Sequence, residues 1–166
     1  MIPSVADMLD EALENVVAGK SSLVTCERDG TLAWAWRRAQ RPSEVARSWQ
    51  ITETRSLDEC AQALAATPGA VALVEFTTEH HDAMFDFLTE AETRFPSTLV
   101  LVAAERRLVA WAPLLREAGA AWVATEREGF AQLVAMAERH ASLHPRPAVG
   151  LREAVWAALP WAPKHP

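Results

Sequence analysis

The residues of this chain that could do chemistry are acids and a thiol placed where hydrophobic segments end. Cys26 and Glu27 follow a short β-prone segment, and Glu75 closes a near-continuous hydrophobic run. A carboxylate at the end of such a strand is unlikely to be selected for packing, so Glu75 is a candidate site residue. Strand-end carboxylates could bind a cation or a small ligand. Cys26 could act as a nucleophile, although a free cysteine is by default a small buried hydrophobe.

Three other motifs have structural explanations. Gly19-Lys20-Ser21 looks like the end of a phosphate loop, but it follows a predicted helix instead of opening one, so a helix C-terminus explains it. The adjacent His80 and His81 would point about 100° apart on a helix and would not converge on one ion. We expect a solvated helix start there and surface histidines at His140 and His144. The sequence therefore predicts no metal ion and no cofactor.

The elements that must position the candidate residues alternate between strands and helices. A Ser56–Glu59 capping box opens one helix. Strands are predicted over 22–26, 50–54, 70–76, 97–103 and 121–125, and helices over 56–66, 79–94, 108–118 and 128–143. Strands separated by such helices form βαβ units. The predicted class is α/β, a flavodoxin-like doubly wound sheet of five parallel strands in the order 2-1-3-4-5, with extra N- and C-terminal helices.

Residues 31–41 allow two interpretations. Asp29-Gly30 is a strong hairpin turn signal, and Leu32, Trp34 and Trp36 then alternate with other residues as in a strand. The same segment is rich in alanine and arginine, which favour a helix. A helix would supply the crossover that a doubly wound sheet requires after its first strand. We favour the helix, and the sequence alone leaves both alternatives open.

Composition excludes several classes of protein. The chain has 166 residues, 50% of them hydrophobic, which suits one domain with extensions and excludes global disorder. A formal charge of −6 argues against a nucleic-acid partner held through phosphate contacts. No apolar run reaches the roughly 18 residues of a membrane span. The first residues lack the basic region of a signal peptide, and two cysteines cannot form a disulfide framework, so we expect a cytoplasmic protein.

The chain divides into three predicted parts. Residues 1–20 form an N-terminal helix, residues 21–144 form the main domain, and residues 145–166 form a linker with an amphipathic tail helix. The tail carries Trp156, Leu159 and Trp161, which makes it a candidate docking peptide for a protein partner. The alternative is a strap that lies across the same domain.

Residues 22–143 resemble the receiver domain of two-component response regulators in the order and spacing of their elements. Such domains place an acidic pair after the first strand, a phospho-accepting Asp at the end of the third, Thr or Ser at the end of the fourth, and Lys at the end of the fifth. The resemblance puts Glu75 at the phospho-acceptor position, Ala103 at the hydroxyl position and Glu126 at the lysine position. Cys26-Glu27 replaces the acidic pair.

These departures imply that phosphotransfer is lost. Phosphorylation of such a site needs Mg²⁺ on carboxylates, a cation for the phosphoryl oxygens and a hydrogen-bond donor. Ala103 supplies no donor, Glu126 reverses the charge, and one lost donor alone costs about 3 kcal/mol of transition-state stabilisation. The resemblance therefore implies a pseudo-receiver, a phosphorylation-independent signalling module that is not an enzyme. We expect it to bind a protein partner or to self-associate.

The seven tryptophans supply candidates for the binding surface, because Trp is enriched at interface hot spots. Trp111 on the fourth helix and Trp122 in the fifth strand would lie on one face of the domain, or they could simply pack into the core. Two other functions stay open. One is a small metal- or ligand-binding protein or enzyme that uses Glu27 and Glu75, although only Gly30 offers a glycine after the first strand. The other is a structural subunit of an oligomer.

Overall fold

A parallel sheet of five strands lies at the centre of the described part of the chain, which comprises residues 21–39, 49–125 and 129–144 of a computed structural model. The sheet order is β2-β1-β3-β4-β5, and each strand is parallel to its neighbours. This confirms the predicted class and strand order. The strands are β1 (Ser21–Cys26), β2 (Trp49–Thr54), β3 (Val71–Phe76), β4 (Leu99–Ala104) and β5 (Trp122–Thr125).

Helices cover both faces of the sheet. Short 3₁₀ turns, Thr78–His80 and Arg106–Trp111, lead into the third and fourth helices. Two buried clusters fill the space between the layers, one under α1 and α5 and the other under α2, α3 and α4. The helices are α1 (Thr31–Ala39), α2 (Leu57–Ala66), α3 (His81–Arg94), α4 (Ala112–Glu117) and α5 (Phe130–Leu143).

The ambiguous segment after β1 forms a helix. α1 occupies Thr31–Ala39, and β1 pairs in parallel with β2, so the hairpin alternative is wrong. Gly30 adopts a φ of 78°, a left-handed conformation that glycine accommodates, and its carbonyl accepts a hydrogen bond from the Trp34 N–H. The Asp29-Gly30 turn signal therefore marks the entry into a helix.

The fourth helical segment differs from its prediction. The sequence predicts one helix over 108–118, whereas the chain forms a 3₁₀ turn to Trp111 and then the short helix α4. Pro113 explains the break, because proline lacks an N–H and clashes inside a helix but is tolerated in its first turn.

The start of α2 is close to the predicted capping box. The Ser56 hydroxyl accepts a hydrogen bond from the Glu59 N–H at 3.2 Å, as predicted. The Glu59 carboxylate reaches back to the N–H of Arg55 at 2.8 Å, one residue earlier than a standard box. This contact fixes Arg55 at the edge of the sheet where β2 ends.

Residues Ser21–His144 form one compact unit. The predicted N-terminal helix in residues 1–20 and the predicted tail in residues 145–166 lie outside the described residues. Among the residues that are described, no helix combines the length and the apolar character needed to cross a membrane.

Candidate functional site

A pocket of about 360 Å³ opens where β1 and β3 end. The start of α2 and the turn before α3 reach the same edge of the sheet and form its other walls. Ligands of doubly wound sheets bind outside the carboxyl ends of the strands, so the pocket occupies the expected place. Its lining combines acids, cations, hydroxyls, a thiol and apolar groups: Cys26, Glu27, Arg28, Arg55, Ser56, Leu57, Asp58, Glu75, Thr77, His80, Ala83 and Met84.

Glu75 stands one residue before the end of β3 and is half-buried. Its Oε2 accepts a hydrogen bond from the Arg28 backbone N–H at 3.1 Å. Across the β3–β4 ladder its register partner is Ala103, a buried methyl group. The carboxylate that the resemblance places at the phospho-acceptor position is thus held by a backbone donor and has no hydroxyl beside it on β4.

The carboxylate of Glu27 is directed to the first turn of α1. Glu27 is 3% exposed, and its two oxygens accept hydrogen bonds from the N–H groups of Leu32 at 2.5 Å and Ala33 at 2.8 Å. The Thr31 hydroxyl adds a longer contact at 3.4 Å. The first N–H groups of a helix have no partner within the helix, and a negative charge is favourable there. Glu27 therefore caps α1, although it directly follows the last residue of β1.

Cys26 and Cys60 meet beside the same pocket. Both are buried free cysteines, and their side chains are within hydrogen-bonding reach of each other. The Cys60 thiol lowers the pKa of Cys26 by hydrogen bonding to it, against the opposing effect of burial. The same contact, together with burial, raises the pKa of Cys60.

The arginines near the pocket are held by acids and carbonyls. The Arg28 side chain forms an ion pair with Glu79, which raises the pKa of Arg28. Arg55 donates to the backbone carbonyl of Glu27 at 3.2 Å and to Glu53 at 3.3 Å. Arg37 of α1 also binds Glu53 at 3.0 Å, and this hydrogen bond lowers the pKa of Glu53. The positive charges at this edge of the sheet are thus largely neutralised by neighbouring glutamates.

The part of this edge where β4 and β5 end is less polar than the pocket. Ala103 and Ala104 on β4 are register partners of Ala124 and Thr125 on β5. Thr125 is the last described residue before residues 126–128, so Glu126, the predicted occupant of the lysine position, lies outside the described residues.

The donor set at this edge does not fit Mg²⁺, the ion that the receiver resemblance implies. Mg²⁺ prefers several oxygen ligands in near-octahedral geometry. Both Glu27 oxygens accept backbone N–H groups, and Glu75 accepts the N–H of Arg28, so both glutamates of the pocket are already hydrogen-bonded to the protein. Among residues 21–39, 49–125 and 129–144, no group of three or more His, Cys, Asp or Glu side chains is placed to hold a metal ion.

The predicted binding tryptophans are partly exposed. The Trp111 ring lies 5.9 Å from the ring of His81 and 6.1 Å from that of Phe85, so it packs against α3 while keeping one side open. Trp122 is half-buried, and the Arg116 guanidinium lies 5.0 Å from its ring centre. Trp156, Leu159 and Trp161 lie in residues 145–166, outside the described part.

Comparison with known proteins agrees with this geometry. No family model matches the chain, and no curated protein matches it in sequence. Solved structures do match. A CheY-like protein, tadZ, from Pseudomonas aeruginosa is 16% identical with a TM-score of 0.54, over 73% of this chain and 93% of that one. The fold is that of a response-regulator receiver domain.

Two further structures support the same assignment. An orphan response regulator of H. pylori is 16% identical with a TM-score of 0.55, over 74% of this chain and 97% of that one. A pilus assembly protein, CpaE, from Caulobacter crescentus is 18% identical with a TM-score of 0.51, over 76% of this chain and 93% of that one. At this identity the likeness establishes a receiver-like fold.

Sequence reasoning found the acids of the pocket and missed several of their partners. It placed Cys26, Glu27 and Glu75 at one edge of the sheet, and all three line the same pocket. It did not find Cys60, because nothing local in the sequence of α2 marks that cysteine as the neighbour of a strand end. It also missed Arg28, although its position directly after Cys26-Glu27 was an available signal.

Proposed function

We propose that this receiver-like domain is a phosphorylation-independent, non-enzymatic signalling module that works by binding a protein partner in the cytoplasm. The observation that carries the proposal is the capping of α1 by Glu27. A receiver needs the acid after β1 to face the phospho-acceptor, whereas here both carboxylate oxygens accept backbone N–H groups of α1. A metal ion on Glu27 would have to share these oxygens with the two helix donors.

The β4 position supports the same proposal. Ala103 is the register partner of Glu75 and carries no hydroxyl, so a phosphoryl group on Glu75 would lack the donor that stabilises it. Arg28 and Arg55, the nearby cations, are paired with Glu79 and Glu53. A phosphoryl group would have to compete with those carboxylates for its counter-charge.

The test is incubation of the full chain with acetyl phosphate and Mg²⁺, followed by intact mass measurement. We expect no phosphoryl adduct under conditions in which a receiver with its Asp, Thr and Lys intact is stoichiometrically labelled. Glu75→Gln is the matched variant. An adduct on the natural chain that disappears in Glu75→Gln would overturn the proposal.

The proposed partner surface is the exposed side of α4 and of the turn before it. Val109, Trp111 and Leu114 are exposed large hydrophobic side chains there. The exposed Arg106 and Arg116 lie on the same two elements. Apolar side chains accompanied by positive charge suit a partner protein that offers apolar contacts surrounded by acids. A second copy that docked through the same surface would place these arginines opposite each other, so it is a less suitable occupant.

The surface is tested by Leu114→Asp, with Leu143→Asp as the matched control. Leu114 is 49% exposed and Leu143 is 71% exposed, at the end of α5, so neither substitution should disturb the core. Quantitative affinity capture should recover an acidic partner with the natural chain and Leu143→Asp, and lose it with Leu114→Asp. Capture that is equal for all three chains, or a dimer in sedimentation that Leu114→Asp dissolves, would contradict the proposed partner.

The pocket itself favours a second candidate function, the binding of a small ligand. Its volume of about 360 Å³ lies within the usual range for ligand sites. His80 offers a nitrogen to a ligand, as do the N–H groups of Arg28 and Arg55 that their ion pairs do not use. A thermal-shift screen of metal ions, nucleotides and small acids would detect such a ligand as a saturable rise in melting temperature. A rise that Arg55→Ala abolishes would favour this candidate, and no rise would exclude it for the compounds screened.

A further inference from the structure

The two cysteines of the chain are brought together by α2, which connects β2 to β3 and packs over β1 between them. Cys26 ends β1, and Cys60 lies in the first half of α2, which packs on the sheet directly above it. Their thiols lie within hydrogen-bonding reach of each other and of the Thr54 side chain at the end of β2. Two thiols in contact at the edge of a sheet form a dithiol site that the receiver-like function does not require.

The two thiols differ in their access to solutes. Cys60 is 0% exposed and belongs to the core under α2. Cys26 is 7% exposed and lines the pocket at the strand ends. A small reagent that enters the pocket therefore meets Cys26 first, and Cys60 is accessible only through Cys26.

The acidities of the two thiols follow the same asymmetry. Hydrogen bonding from Cys60 lowers the pKa of Cys26, while Glu59 and Glu75 oppose this effect by charge repulsion. Contact with Cys26 and burial raise the pKa of Cys60. The thiolate is the reactive form of a cysteine, and Cys26 is the thiol of the pair that lines the pocket.

We propose that Cys26 and Cys60 are a redox-sensitive thiol pair, in which Cys26 reacts with a hydroperoxide and Cys60 resolves the product as an intramolecular disulfide. In the first step the Cys26 sulfur attacks the peroxide, the O–O bond breaks, and Cys26 becomes a sulfenic acid while the peroxide leaves as an alcohol or water. In the second step the Cys60 sulfur attacks the Cys26 sulfur. The S–O bond breaks, and the leaving hydroxide takes the Cys60 proton as water. The peroxide accepts the two electrons that the thiols lose.

The consequence for the pocket follows from the neighbours of Cys26. The next residue, Glu27, caps α1, and the N–H of Arg28 binds Glu75. A disulfide would tie this edge of β1 to α2, on the opposite side of the sheet from α1. Oxidation would thereby restrict the movement of the segment after β1, which carries Glu27 and contacts Glu75.

The experiment uses the full chain, reduced and then treated with hydrogen peroxide. We expect an intact mass that falls by two hydrogen atoms, a loss of both titratable thiols in denaturant, and a cross-linked pair of peptides from β1 and α2. Dithiothreitol should reverse all three changes. Peptide mapping needs no variant, so the proposal stays testable even if a substituted chain does not fold.

Two variants separate the roles of the thiols. Cys60→Ala should stop at a sulfenic acid on Cys26, which a dimedone label detects, and Cys26→Ala should leave Cys60 unreactive. Near-UV circular dichroism checks that each variant keeps its packing. Thiols that remain titratable after peroxide treatment, disulfides that link two chains, or labelling of Cys60 in Cys26→Ala would each overturn the proposal.

Discussion

Substitution of Glu27 distinguishes a helix cap from a metal-site acid by the sign of its effect on stability. In a group of carboxylates kept together for a cation, removal of one charge relieves repulsion and stabilises the fold. In the arrangement described above, Glu27 is buried and its oxygens satisfy the N–H groups of Leu32 and Ala33. Removal of the carboxylate should therefore destabilise the protein.

The expected magnitude follows from these two hydrogen bonds. Glu27→Ala leaves two buried N–H groups without an acceptor, and each unsatisfied group costs about 1–3 kcal/mol. Water that enters the space left by the side chain recovers part of this loss, so we expect the free energy of unfolding to fall by about 2–4 kcal/mol. Glu27→Gln keeps one acceptor oxygen and loses the charge at the helix N-terminus, and it should cost about 1–2 kcal/mol.

The assay is urea unfolding followed by far-UV circular dichroism, with the transition midpoint and slope fitted for each chain. Glu79→Gln is the matched control, because it removes an exposed carboxylate from an ion pair with Arg28 and should change stability by less than about 1 kcal/mol. A midpoint for Glu27→Gln equal to or above that of the natural chain would refute the capping role. It would also remove the main support for a phosphorylation-independent function.

Three other expectations follow from the described residues. Trp36→Ala removes a fully buried ring and should cost about 3–5 kcal/mol in the same assay, whereas Trp34→Ala, at a position 59% exposed, should change little. Burial and then His144 lower the pKa of His140 below its usual 6.5, so the unfolded chain binds that proton more readily. Stability should therefore fall as the pH drops below about 6.5, and His140→Gln should flatten this dependence in urea midpoints measured across that range. Gly119→Ala forces a side chain onto a φ of 120° and should lower the melting temperature, as calorimetry would show.

The sheet could be predicted because its central strands carry an unambiguous pattern. The β3 and β4 segments are nearly continuous apolar runs, which is typical of strands covered on both faces. The intervening helices have the length of βαβ crossovers. Right-handed crossovers leave few topologies, and five strands suit the flavodoxin-like order. The short helix α4 was misjudged because the apolar spacing over 108–118 is helical, while Pro113 restarts the helix within it.

The segment after β1 could not be decided from its own residues. Asp29-Gly30 is typical of a hairpin turn, but in this chain Gly30 uses its positive φ at the entry into a helix. The deciding interaction is the cap that Glu27 gives to α1, which joins a strand end to a helix across an intervening turn. Local propensity contains no signal for such a contact.

The position of the candidate site could be predicted, but the contacts of its side chains could not. Strand ends on one edge of a parallel sheet must lie together, so Cys26, Glu27 and Glu75 were expected to share a site. The partner of each side chain comes from another segment. Cys26 contacts Cys60 of α2, Glu75 accepts the N–H of Arg28, and Glu27 accepts N–H groups of α1. These contacts depend on how the helices pack on the sheet.

Alternation along β1 accounts for both unusual features of the site. Successive residues of a strand point to opposite faces, and Val24 and Cys26 belong to the cluster under α2 while Leu23 belongs to the cluster under α1. The Glu27 N–H still bonds to the Thr54 carbonyl at 3.2 Å, so the alternation continues one residue past the strand. Cys26 is therefore turned towards Cys60 on one side, and Glu27 is turned towards the donors of α1 on the other. The two side chains therefore take different roles: Cys26 packs against α2 beside Cys60, and Glu27 caps α1 on the other side of the sheet.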